Sequence, residues 1–137
     1  MSMILYRTLG VSDVVRAAHF YDAVLAPLGY LRRTDPDTGW AGWGSPYDEG
    51  VSFWACPPFD GAPATPGNGA MVAFRAASAA EVRAFQRAAL QSDGRDESAP
   101  GLRLNYEPGF YAAHVRDLDG NKLACVFHRY EPATDEA

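Results

Sequence analysis

The sequence predicts an α+β protein of two βαβββ modules side by side, and three observations predict it. The chain repeats at long range: Phe20 and Phe85, Leu25 and Leu90, Gly29 and Gly94, and Tyr6 and Met71 are each 65 residues apart. That spacing is too long for a solenoid repeat. The order of elements, a strand, a helix and then further strands, is the same on both sides of a proline-rich linker. Finally, 137 residues of which 47% are hydrophobic and 21% charged make one domain with a core of its own and exclude a disordered chain. Module 1 spans about residues 3–56, the linker 57–69, module 2 about 70–128, and a tail 129–137.

Met3 to Val11 is extended and largely apolar, a first strand. Ser12 or Asp13 can cap the helix after it, in which Val14, Val15, Ala18, Tyr21, Val24 and Leu25 recur at helical spacing. Pro27 and Gly29 end that helix. Strands are expected at Tyr30–Thr34, Trp40–Gly44 and Val51–Ala55, separated by turns rich in Asp, Pro and Gly. The linker holds too many prolines for a helix or an interior strand. Ala70–Phe74 opens the second module as a strand. Ser78 with Glu81 has the spacing of a capping box, and the helix it starts points Val82, Phe85, Ala89 and Leu90 inward before stopping at Asp93-Gly94. Strands follow around Arg95, at Leu102–Tyr106 with Phe110–Val115, and at Leu123–Phe127. The last pair is joined by Asp117-Leu118-Asp119-Gly120-Asn121, a run of turn formers in which Gly120 is free to take positive φ. The tail from Glu131 is acidic and expected to be loose.

A net charge of −5 and a pI of about 5.0 argue against nucleic acid or an anionic membrane as partner. No apolar run approaches the roughly 18 residues of a membrane span, and no basic-then-apolar leader opens the chain. Cys56 and Cys125 are too few for a disulfide framework and too far apart for a local metal knuckle, so they read as small buried hydrophobes. A reduced, cytoplasmic setting is the expectation.

Leu9-Gly10-Val11-Ser12-Asp13, the helix Phe20-Tyr21-x-x-Val24-Leu25-x-x-Leu28-Gly29, and Val115-Arg116-Asp117-Leu118-Asp119-Gly120-Asn121 resemble the vicinal-oxygen-chelate superfamily. That superfamily holds glyoxalase, bleomycin-resistance proteins and extradiol dioxygenases. The resemblance covers Ile4 to His128, with Leu118 where the family usually has proline. It implies a cup-shaped mixed sheet with helices outside, a homodimer, and in many members one divalent ion (nickel, zinc, manganese or iron). The first-strand ligand places correspond to Tyr6 and Met71, the last-strand places to Trp54 and Ala124. A phenol, a thioether, an indole and a methyl group are not the imidazole and carboxylate donors such ions need. The expectation is therefore no metal at that site and no predicted cofactor.

For an enzyme of this kind the acid–base candidates are His114, Glu107 and a tyrosine; the alternative is that His114 is packed on its strand with one nitrogen bonded and that Glu107 and Tyr106 are exposed loop residues. His114 lies between small Ala113 and Val115 where the family has a large apolar residue, and it can titrate near neutral pH. Glu107, beside Tyr106, belongs to a loop that the resemblance places at the mouth of the cup. Tyr6, Phe53, Trp54, Met71, Tyr106, Phe110, Tyr111 and Ala124 are expected to bind a ligand, as lining or filling of an apolar pocket. His19 and His128 read as surface or structural. Arg7 shares the alternation of Leu9 and Val11 and needs a partner or an exit to water. These features point to binding of a small, partly apolar organic molecule. A lyase, isomerase or dioxygenase of the same superfamily is the alternative, and an interaction module with a filled cup is the third reading.

Overall fold

The computed structural model describes residues 2–47, 49–50 and 52–135. Asp48, in the expected 45–50 turn, and Val51, the first residue of an expected strand, lie outside the described residues. β1 (Tyr6–Gly10) leads to α1 (Val14–Leu25), capped by Asp13, whose Oδ1 accepts from Arg16 N at 3.0 Å. β2 (Ala41–Gly44) and β3 (Ser52–Cys56) complete a three-stranded sheet of order β1-β3-β2, with β1 parallel and β2 antiparallel to β3. In the second half β4 (Val72–Arg75), α2 (Ala79–Gln91), β5 (Arg95–Leu102), β6 (Tyr111–Arg116) and β7 (Lys122–Phe127) give a four-stranded sheet of order β4-β7-β6-β5. Here too the first strand lies parallel to the last. The fold is α+β, as expected, with a sheet from each half of the chain.

The expected strand at Tyr30–Thr34 is not formed. It makes a single bridge, Arg32 to Trp43, in which Arg33 N donates to Gly42 O at 2.7 Å. The Thr34 hydroxyl takes the place of ladder bonds: it donates to Trp40 O and accepts from Gly42 N, both at 3.1 Å. β5 differs in the other direction. It runs unbroken from Arg95 to Leu102 through Pro100 and Gly101, whereas the strand expected at Leu102–Tyr106 is not formed: 104–106 turn, with Tyr106 N donating to Arg103 O at 3.0 Å. It is an edge strand with irregular register, which is where a sheet tolerates proline. β1 begins at Tyr6, so Met3–Leu5 lie outside it. The chain after Glu131 is not loose throughout, since Pro132–Asp135 form a helical turn, α3.

Alternation sorts the strand side chains onto two faces. Leu9, Val11, Ala41, Trp43, Phe53 and Ala55 of the first half share one buried cluster with Phe20, Tyr21, Val24 and Leu25 of α1. Tyr111, Ala113, Val115, Leu123 and Cys125 join the same cluster with Val82, Phe85 and Ala89 of α2. The two halves therefore share one core, and Phe53 meets Phe74 edge to face at 5.2 Å across it. Leu90 departs from its repeat partner: Leu25 is buried, while Leu90 is 45% exposed. After α1 the chain turns back as a 3-10 turn, Ala26–Leu28, and packs Leu28 and Tyr30 on the core; α2 runs instead into Ser92 and β5.

The turn after β6 fastens the halves together. Asp117, buried, accepts from Tyr21 OH at 2.5 Å, from the backbone N–H of Asp119 and Asn121, and from Asn121 Nδ2. Burial first, and the Asp117 charge second, push the Tyr21 phenol up from its ordinary pKa. Asp119 accepts from both N and Oγ of Ser12, and Asn121 Nδ2 reaches Gly10 O. The turn residues that close the second module thus hold the β1–α1 junction of the first. No helix of the described residues is long and apolar enough to cross a membrane.

Candidate functional site

The face of the second sheet turned away from the helices carries the polar chemistry. The register sets Ala73, Ala124 and His114 in one row, and Arg75, Val126 and Ala112 in the next. His128, two residues beyond Val126, continues that face at the end of the sheet. The loop after β5 closes over this end. Gly109 packs so tightly on the 128–130 segment that a Cβ there would lie 2.8 Å from His128 O, and its carbonyl accepts from Tyr130 N at 3.0 Å. A glycine is therefore required for the loop to bring Glu107 over His128.

The result is a hollow of about 370 Å³ lined by Ala73, Phe74, Arg75, Tyr106, Glu107, Phe110, Val126 and His128. Tyr106 and Phe110 stand ring to ring at 5.1 Å on one side. On the other, Arg75 Nη1 lies 3.0 Å from His128 Nε2, and His128 Nδ1 lies 3.5 Å from Glu107 Oε1. An arginine only donates, so Nε2 is the acceptor, and the proton of the neutral ring sits on Nδ1, facing the carboxylate. Side chains here are half-exposed, 40% for His128 and 48% for Glu107, so a molecule can reach them. The set combines an apolar and aromatic wall with a cation, a ring nitrogen and a carboxylate.

Of the residues expected to form a site, Tyr106, Glu107 and Phe110 are brought together here. His114 is not among them. Its Nδ1 lies 3.1 Å from Ser98 Oγ, which also accepts from Arg103. Burial, and then the charges of Lys122 and Arg103, hold its pKa below the usual value of 6.5. Tyr111 turns to the helix side, where it is buried, stacks on Tyr130 at 4.6 Å and receives Arg83 on its hydroxyl. Ala124 is buried in its strand on the outer face. Trp54 lies flat over Gly42, where a Cβ would be 2.5 Å from its ring, and meets Trp40 edge-on at 6.2 Å. Tyr6 is 50% exposed beside Tyr47. Phe53 and Met71 line a second cleft of about 850 Å³, together with Trp43, Tyr30 and Arg7, which meets the hollow at Ala73, Phe74 and Arg75. Arg7 takes the exit to water that its place on the core-facing side demanded.

Sequence reasoning missed Arg75 and His128. Strand alternation from Met71 places Arg75 on the same face two steps on, and alternation from Ala124 does the same for His128. What the sequence did not carry was the parallel pairing of β4 with β7, which sets the two side by side across 53 positions.

The positions that correspond to the family's metal ligands, Tyr6, Trp54, Met71 and Ala124, hold no imidazole or carboxylate. These donors do not fit a divalent ion. Among the described residues no group of three or more His, Cys, Asp or Glu is placed to hold one.

No family model matches the chain. No curated protein matches it by sequence either. Among solved structures it superposes on a glyoxalase/bleomycin resistance protein from Albidiferax ferrireducens T118 with a TM-score of 0.79 and 33% identity, over 91% of this chain and 98% of that one. A glyoxalase-related enzyme from Fulvimarina pelagi gives 0.69 at 17% identity, over 96% and 90% of the two chains. A lactoylglutathione lyase from Agrobacterium tumefaciens gives 0.62 at 18%, over 92% and 93%. The last two are similarities of fold alone. The first, with the paired modules and the closing Asp117–Asn121 turn, places the chain in the glyoxalase/bleomycin-resistance family of the vicinal-oxygen-chelate superfamily.

Proposed function

We propose that the protein binds a small organic acid with a planar apolar body in the hollow between Arg75, His128, Glu107 and the Tyr106–Phe110 pair. The observation that carries this reading is the contact of Arg75 with His128 at 3.0 Å. It holds a guanidinium, which pairs with carboxylates in a bidentate fashion, at the polar end of a hollow whose other wall is aromatic. A volume of about 370 Å³ is at the lower end of the range for small-molecule sites. The reading needs no resident metal. It is supported by the donor chemistry at Tyr6, Trp54, Met71 and Ala124, and by the unsuitability of a site facing Arg75 for a second cation. Stoichiometric nickel, zinc, manganese or iron retained by untagged protein after desalting would contradict that part.

In this reading the chain works in the cytoplasm as a homodimer. Free, buried Cys56 and Cys125 are consistent with a reducing compartment. Exposed Met3, Ile4, Leu5, Tyr6 and Met71 offer apolar surface to a second copy. The direct test of the binding site is calorimetric titration with 3-phenylpropionate and with its uncharged amide. The acid is expected to bind saturably, the amide at least about tenfold more weakly, as loss of one charge-assisted pair implies. Arg75→Gln is expected to remove the preference. Equal binding of acid and amide, or an unchanged preference in Arg75→Gln, sinks the reading.

A further inference from the structure

Arg7 lies opposite Phe53 in the pairing of β1 with β3, and Leu9, two residues on along the same face, is buried. A guanidinium on that face has apolar neighbours, and among the described residues Arg7 makes no hydrogen bond or ion pair. It stands where two hollows meet. The smaller, of about 180 Å³, is lined by Thr8, Thr65, Asn121 and Lys122 as well as Arg7. The larger is the cleft of about 850 Å³, walled by Leu25, Tyr30, Trp43, Phe53 and Phe74. Arg7, Met71 and Val72 border both. We propose that the two together hold a fatty acid, its carboxylate on Arg7 in the smaller hollow and its alkyl chain in the cleft. This adds a second ligand site to the one at Arg75 and does not depend on it.

The linker builds the wall of the smaller hollow. Pro66 packs on the closing turn, where a Cβ on Gly120 would lie 3.4 Å from it, and Ala70 N donates to Gly67 O at 3.1 Å. Thr65 and Gly67 thereby come to border the same space as Lys122. Arg7 and Lys122 can only donate, and the hydroxyls of Thr8 and Thr65, which bond no other group among the described residues, can donate as well. Such a set suits an oxygen anion. The Lys122 charge is partly shared, since Glu97 is held below the usual carboxylate range by its bond to Arg116 first and by Lys122 in smaller part. Glu49, which also borders the cleft, is not within ion-pair distance of Arg7. Arg75 reaches the cleft too, but its guanidinium is engaged by His128 at 3.0 Å. One unshared guanidinium matches a monoanion, which it can grip in a bidentate fashion. The cleft is in the upper part of the size range of small-molecule sites, and an alkyl chain leaves water for its apolar walls with a gain that grows with chain length.

Calorimetric titration with octanoate, decanoate and 1-octanol tests the proposal, and amide NMR locates the ligand. Octanoate is expected to bind saturably, and decanoate roughly tenfold more tightly for its two further CH2 groups. The alcohol is expected to bind at least about tenfold more weakly than octanoate. Arg7→Gln is expected to bring octanoate down to the level of the alcohol. Lys122→Gln, a second variant should the first not fold, is expected to weaken octanoate about threefold or more. Shifts with decanoate are expected at residues 7–10, 65–67 and 121–122, and at Tyr30 and Phe53. Equal affinity for acid and alcohol, decanoate no tighter than octanoate, or octanoate binding unchanged in either variant overturns the proposal. Shifts confined to residues 106–110 and 126–128 would put the acid beside Arg75 instead and overturn it too. So would binding of neither acid, with the amides of Ile4 and Met71 shifting only with protein concentration, which would give the cleft to a second copy.

Discussion

His114 and His128 show how one residue type divides by environment. The first lies partly buried under the charges of Lys122 and Arg103, with Ser98 on its Nδ1 and Glu97 near enough to oppose them slightly. Its folded pKa is below 6.5, so as pH falls through that value the unfolded chain takes up a proton that the folded chain does not. Its contribution is full above about pH 6.5 and shrinks on acidification until the folded ring also protonates. His114→Gln removes that term. The melting temperature of wild type minus that of His114→Gln is expected to be larger at pH 8 than at pH 5.5, and a difference constant with pH would contradict the assignment. The sequence favoured His114 over His128 because, by the resemblance, His114 stands between Ala113 and Val115 where the family has a large apolar residue, whereas His128 only follows the last strand. The partners that decide the matter, Ser98 in one case and Arg75 with Glu107 in the other, come from neighbouring strands and loops. Tyr106 and Glu107 were singled out because the resemblance places the loop before Pro108-Gly109 at the mouth of the cup.

At the scale of elements, the helices were the most legible because capping and periodicity act within a dozen residues. Ser78 Oγ accepts from Glu81 N at 3.1 Å, and the Glu81 carboxylate reaches back to Ala77 N at 3.0 Å, one residue further than the usual box. Ser78→Ala is expected to cost about 1 kcal/mol in chemical denaturation, and a loss below about 0.3 kcal/mol would show that the cap does not hold α2. Strands were read less well where tertiary context overrode pattern. Tyr30–Thr34 has the apolar and β-branched character of a strand, yet Thr34 satisfies the neighbouring backbone with its own hydroxyl. Arg95–Leu102 lacks alternation because an edge strand need bury little.

The whole molecule is two similar halves that share a core and are pinned by the Asp117–Asn121 turn. The repeat in the sequence made this legible, since a pairing of β1 with β3 recurs as that of β4 with β7. The shared core was not, because the contact of Phe53 with Phe74 is set by how the sheets pack. A second consequence lies at the end of the sheets, where Met3–Tyr6 and Met71 leave apolar side chains in water. Sedimentation at micromolar concentration is expected to give twice the chain mass of 14.8 kDa, and Ile4→Glu to shift it toward one chain. A monomer in both cases would remove the second copy from the account.

The central claim is that the organic acid lands at the end of the second sheet, on Arg75. Two-dimensional amide NMR of the protein titrated with 3-phenylpropionate tests it most directly. The account predicts saturable shifts concentrated at residues 106–110 and 126–128, which border the hollow but not the larger cleft. Shifts concentrated instead at Phe53, Met71 and Tyr30 would place the ligand in the larger cleft and contradict it.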